Sequence, residues 1–122
     1  MSKESKEFFE EMLGFLPSAF NAYEESIRRF GEILETVVIE DIFMPKIIKL
    51  LSVEDNVQLI KKIFEYFEKV SNSNDTHLIN LFSITALEML GNDKVILEKA
   101  KKYMGSKTIE LQVEADKRLG RN

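Results

Sequence analysis

Cysteine and tryptophan are absent from the 122 residues, and histidine occurs once, as His77. Without thiols the chain can form no disulfide, no thiolate metal site and no cysteine nucleophile. One histidine leaves no His-x-x-x-His and no Glu-x-x-His ligand pair. His77 lies in the first turn of a predicted helix beside Asp75, where it reads as a solvated or capping residue. Hydrolytic triads need a positioned base, and this chain offers a poor one. The five glycines are isolated, so there is no Gly-rich phosphate loop and no Gly-x-Ser-x-Gly elbow. No catalytic residue, metal or cofactor is expected.

Apolar runs are short as well. None approaches the ~18 residues of a membrane span, and Met1 to Glu7 carries no apolar stretch of a signal peptide. The default expectation is a cytoplasmic protein that does not enter membranes. Positive charge is also in deficit. The net charge of −4 argues against a nucleic-acid partner, whose binding rests on cations facing phosphate. It permits a basic protein partner, although solubility alone accounts for such a balance in many proteins.

Only two prolines and five glycines punctuate the chain, so long elements are expected. Phe8, Met12, Phe15 and Leu16 recur at helical spacing and predict a first helix over Lys3 to Leu16. Pro17 ends it and opens a second through Phe30, with the stripe Phe20, Tyr23, Ile27 and Phe30. A third covers Glu32 to Phe43. Pro45 removes a backbone donor, which predicts a kink or break before a further stretch from Pro45 to Leu51. Ser52, with Asp55 three residues on, reads as the cap of a helix running to Val70. Ser71 to Asn74 is a loop by composition. Asp75 or Thr76 then caps a helix to Leu90, with Gly91 as a left-handed C′ residue. Asp93 caps a helix from Lys94 to Met104, and Ser106 caps a last one ending at Gly120. The run Val37-Val38-Ile39 has strand propensity inside a helical pattern.

Helices joined by short connections give antiparallel neighbours. The fold class is therefore all-α, in one domain over residues 1–122: a short HEAT-like α-solenoid or an irregular antiparallel bundle of six to seven helices. The segment from Leu78 to Leu90 is apolar around its whole circumference, which predicts a helix inside the protein. The segment after Val57 carries two stripes and reads as sandwiched. The last helix, with Leu111, Ala115 and Leu119 on one side, suits a terminal cap. The many phenylalanines read as core.

The carboxylate pairs Glu10-Glu11 and Glu24-Glu25 fit solvated helix faces, because adjacent helical residues point about 100° apart. The basic pairs Arg28-Arg29, Lys61-Lys62 and Lys101-Lys102 read the same way. Two acids fit less easily. Asp41 projects between Leu34 and Val37 if 32–43 is one helix, and Glu88 projects between Leu81 and Ile84. A charge on an apolar face needs a cation, several donors or an open cleft. Either Glu88 reaches water from a helix end and Asp41 turns outward at the break, or both lie on a partner-binding face. In the second case Asp41→Asn weakens binding and leaves thermal stability almost unchanged.

The stretches Glu35-Thr36-Val37-Val38-Ile39-Glu40-Asp41, Leu87-Glu88-Met89-Leu90-Gly91-Asn92-Asp93 and Ala100-Lys101-Lys102-Tyr103-Met104-Gly105-Ser106-Lys107-Thr108 carry a resemblance. They resemble an uncharacterised family of small bacterial HEAT-like all-helical proteins, some of them found as toxin-immunity proteins. The likeness spans residues 32–120 and leaves residues 1–31 as a preceding helical pair. It implies no catalytic residue. It does imply a protein-binding module, an immunity protein that neutralises a cognate bacterial toxin by binding and occluding it. Glu35, Glu40, Asp41 and Glu88 would then be the carboxylates offered to a basic toxin domain. A helical scaffold or adaptor unrelated to toxins is the alternative reading. A small-ligand-binding protein or an enzyme using a carboxylate pair is less favoured.

Overall fold

The computed structural model describes residues 1–121. Helices account for about four fifths of them, and no strand occurs among the described residues. Helix α1 spans Lys3–Phe15, and a 3-10 turn at Pro17–Ala19 leads into α2, Phe20–Phe30. Helix α3 is continuous over residues 35–53 and contains a wide π turn at Ile39–Phe43. Helix α4 is Val57–Ser71. Helix α5 covers residues 76–90 with its own π turn at Ser83–Leu87. Helices α6 (Lys94–Lys101) and α7 (Ser106–Arg118) complete the chain. The fold is all-α, with seven helices among the described residues, and the Val37-Val38-Ile39 run is helical.

Helix α5 occupies the centre. It packs against α1, α3, α4, α6 and α7. Leu78, Leu81, Phe82, Ala86, Leu87 and Leu90 are buried, as a helix apolar on nearly every side requires. Its one open stripe carries His77, Asn80 and the exposed Ile84. Each fully buried phenylalanine stabilises the fold by about 1.5–3 kcal/mol relative to an exposed one. Six of the nine are fully buried, and they connect the helices. Phe64 meets Phe67 at 5.1 Å, Phe67 meets Phe82 at 5.0 Å, and Phe82 meets Phe8 at 6.3 Å. Phe8 then meets Phe9 at 5.7 Å, and Phe9 meets Phe43 at 5.8 Å. The thread thus runs from α4 through α5 and α1 to α3. Contacts such as α1 with α4, α3 with α6 and α4 with α7 skip along the sequence. Contacts three helices apart arise both between stacked helix pairs of a solenoid and in an irregular bundle.

Several predicted boundaries move, each for a local reason. Pro45 neither breaks nor ends α3. The backbone N–H of Met44 reaches the carbonyl of Ile39, five residues back, so the π turn widens the helix just before the proline. The extra residue keeps Ile39, Phe43, Ile47 and Leu51 on the buried side. Ser52 lies within α3 and caps nothing. Glu54 closes that helix in the left-handed conformation (φ 52°), and Asn56 caps α4 by accepting from the Leu59 N–H. Asp75 and Asp93 cap α5 and α6 as expected. Gly91 is right-handed (φ −76°), not left-handed. A side chain there would run into Asp116 and Arg121, so its small size is what the packing uses. The stripe of α2 is not core. Tyr23 and Ile27 are half-buried, while Phe20 and Phe30 are 48% and 47% exposed. Helix α2 leans on the bundle by one side, with Tyr23 stacked on Phe43 at 6.5 Å. Leu119 lies beyond α7 and is exposed.

The start of α7 is held from outside. Ser106 is its first residue, and the cap position belongs to Gly105, which has no side chain to offer. The carboxylate of Glu68, on α4, fills that role. It accepts from the N–H groups of Lys107 (3.1 Å) and Thr108 (2.9 Å), the Thr108 hydroxyl (2.9 Å) and the Asn72 amide (3.3 Å). Helix N-termini leave unsatisfied donors and favour negative charge. Glu68 approaches so closely that a Cβ on Gly105 would overlap its carboxyl group. Burial pushes the Glu68 carboxyl up, but the bonds from Thr108, Lys107 and Asn72 outweigh it and hold the group below the usual carboxylate value. A depressed pKa gives stability that is full above the ordinary value of 4.5 and is lost as pH falls below it. Glu68→Gln is therefore expected to lower the unfolding free energy at neutral pH by about 1–3 kcal/mol. In urea titrations this deficit should shrink toward about pH 3. An equal deficit at both pH values would contradict the charge-assisted cap.

Candidate functional site

The four carboxylates singled out from the sequence fall into two environments. Glu35 opens α3, is half-buried, and pairs with His77 Nε2 on α5 at 3.0 Å. Helices α3 and α5 therefore start side by side and run the same way, and their π turns pack together. Glu40 is half-buried and Asp41 exposed, both in the π turn of α3. The widened turn rotates Asp41 off the apolar side where a regular helix would place it. Neither Glu40 nor Asp41 has an ion-pair partner among the described residues. Glu88 follows the π turn of α5 and faces α7, where Arg118 lies 3.7 Å from its carboxylate. Arg121 donates to the Glu88 carbonyl at 3.0 Å. Glu35, Glu40 and Asp41 thus share one short helical stretch, while Glu88 has a cation of its own.

A larger acidic feature lies on α1, whose charges read from sequence as ordinary solvation. Glu4, Glu7, Glu10 and Glu11 line a groove of 110 Å³ against Tyr66 and the single cation Lys69 of α4. The helix sets Phe8, Phe9 and Met12 into the core, and these acids take the remaining circumference. Two tyrosines register the resulting potential from either side. Burial, and then Glu11, Glu7 and Glu4, push the Tyr66 hydroxyl well above its ordinary value. Burial followed by Glu10 raises Tyr23 on α2. Both phenols therefore stay protonated.

The signal that locates this face is the uneven distribution of charge along the chain. Residues 1–43 hold ten of the 21 carboxylates but four of the 17 cations, a net −6. The remainder carries net +2. A charge total averages this asymmetry away. Of those ten acids, Glu25 pairs with Arg28, Glu35 with His77, and Glu4 accepts from the Ser73 hydroxyl at 3.0 Å. Glu7, Glu10, Glu11, Glu24, Glu32, Glu40 and Asp41 have no such partner among the described residues. Acids later in the chain are more often engaged. Glu54 accepts from Tyr103 at 2.8 Å and Lys102 at 3.1 Å, and bonds from these two groups hold it below the usual carboxylate range. Among the described residues no group of three His, Cys, Asp or Glu side chains is arranged to hold a metal ion. No helix there is long and apolar enough to cross a membrane.

A family model described as "Domain of unknown function (DUF7674)" matches residues 9–119. That span takes in the second half of α1, all of α2 and residues 32–119. No curated protein and no solved structure matches the chain.

The electrostatic reading of the α1 groove has a direct test. In an NMR titration of tyrosine ring carbons, Tyr66 should ionise above the ordinary phenol value of 10. Glu7→Gln with Glu11→Gln should bring it down without moving Tyr103. An unchanged Tyr66 would mean that burial alone sets the value and the carboxylates lie too far away to act.

Proposed function

The chain belongs to the DUF7674 family, and from that premise we propose that it is a protein-binding module whose acidic face receives a basic protein partner. The finer reading is an immunity protein that binds a cognate bacterial toxin domain and occludes its active site or substrate path. The observation that carries the proposal is the surplus of unpaired carboxylates on α1 and the start of α3. Such groups can meet incoming cations without first giving up an internal partner. Surface charge of one sign also accelerates encounter with a partner of the other sign and disfavours nucleic acid. No bond is made or broken in this mechanism. Inhibition follows from coverage, and the specificity from the pattern of charge.

Glu7, Glu10, Glu11, Glu40 and Asp41 contribute most in this account, with Glu35 at the margin through His77. Glu88 contributes least, because binding there would exchange one cation for another. The resemblance of residues 32–120 to an uncharacterised helical family, some of whose members are found as toxin-immunity proteins, supports the finer reading, as does the negative charge. A scaffold or adaptor uses the same kind of surface and differs in what the partner does when left unbound.

The test begins with crosslinked affinity capture from the native host and continues with the purified partner. Glu7→Gln, Glu11→Gln, Glu40→Gln and Asp41→Asn combined should slow association by about tenfold or more at low salt. The gap should close as salt shortens the screening length to a few ångströms. A partner that arrests growth when expressed alone, and not when the chain is co-expressed, completes the immunity reading. A harmless partner turns it to the adaptor. A partner bound with no dependence on salt or on these residues would overturn the acidic-face proposal itself.

A further inference from the structure

At the end of the bundle away from His77, the C-terminus of α1, the last turns of α3 and the start of α4 enclose a concave pocket of 420 Å³. Its wall is apolar and includes Phe15, Leu50, Val53 and Leu59. Val53 is 57% exposed. On α3, Lys46 and Lys49 also line the pocket, three residues apart. Like charges at this helical spacing repel each other. Neither lysine has a carboxylate partner among the described residues. The contrast with α6 is close by, where Lys99 and Lys102 both engage Glu54, at 3.7 and 3.1 Å. Asp55 is the one acid in the pocket, and it sits at the N-terminus of α4, where the helix dipole favours a negative charge.

An apolar wall beside two unanswered ammonium groups, in a chain of net −4, is complementary to an amphiphile with an anionic head. The volume lies within the range of small-molecule sites, about 300–1,000 Å³. We infer that this pocket binds a free medium-chain fatty acid, its chain along Phe15, Leu50, Val53 and Leu59 and its carboxylate between Lys46 and Lys49. This site is separate from the acidic face and stands whether or not a basic partner exists. The lysine stems would lie along the apolar wall while their charged ends reach the head group.

The experiment is an NMR titration of the ¹⁵N-labelled full chain with octanoate, 1-octanol and acetate in parallel. Octanoate should shift the amides of Phe15, Leu16, Ser18 and residues 46–59 saturably, 1-octanol should bind about tenfold more weakly, and acetate should not bind. Lys46→Ala with Lys49→Ala should reduce octanoate to the affinity of 1-octanol. Val53→Trp, which fills the pocket from an exposed position, should abolish both. Three results would overturn the inference. One is the absence of saturable shifts in this region at millimolar octanoate, and another is an octanoate affinity indifferent to the two lysines. The third is co-sedimentation of the chain with phosphatidylglycerol vesicles through Lys46 and Lys49 while free octanoate is ignored, which would assign the lysines to a lipid surface.

Discussion

Every other feature of this molecule accommodates the need to cover α5. A helix with apolar side chains on nearly every side cannot be buried by one neighbour, so five other helices must converge on it. Two of them, α1 and α3, present Phe8 and Phe43 to the same aromatic thread that Phe82 anchors on α5. The π turns of α3 and α5 meet where α3 would otherwise be broken by Pro45. Helix α2 is left over. It touches the bundle through Tyr23 and Ile27 and leaves the ends of its stripe exposed.

The same geometry sorts the charges. The later helices are tied down by their acids: Glu68 caps α7 from α4, Glu54 receives α6, and Glu88 is paired with Arg118. Those carboxylates do structural work because short turns bring helix ends and cations to them. The acids of α1 and Asp41 of α3 are exposed, and Glu40 beside it is half-buried. Fold stability and partner recognition are thus assigned to different carboxylates of one acidic chain. The apolar pocket at the far end, with its pair of lysines, is a third kind of surface and draws on neither set.

Much of this was legible in the sequence. An all-α fold of six to seven helices, the interior position of α5 and the caps Asp75 and Asp93 follow from periodicity and local capping chemistry. What escaped has a common cause. Pro45 looked like a break because the remedy, a π turn, is set by packing against α5 and leaves no local pattern. A helical wheel sets Asp41 between Leu34 and Val37 because it assumes a uniform turn, and Asp41 is exposed without the break expected to turn it outward. Ser106 looked like a cap because the real one, Glu68, is remote in sequence and visible only once α4 and α7 pair. Gly91 looked like ordinary helix punctuation, whereas it yields space to Asp116 and Arg121, as Gly105 does to Glu68. The acidic face of α1 was visible all along as segmental charge, and the total of −4 concealed it.

The central claim is that the acids of α1 and early α3 are surplus to the fold. The most direct measurement is equilibrium urea unfolding of a single variant carrying Glu7→Gln, Glu10→Gln, Glu11→Gln, Glu40→Gln and Asp41→Asn. Glu7 with Glu10 and with Glu11 are like charges at spacings that repel along a helix. The account therefore predicts an unfolding free energy equal to or slightly above that of the native chain. A loss of several kcal/mol would contradict it, and would place these carboxylates in the structure instead of on its recognition surface.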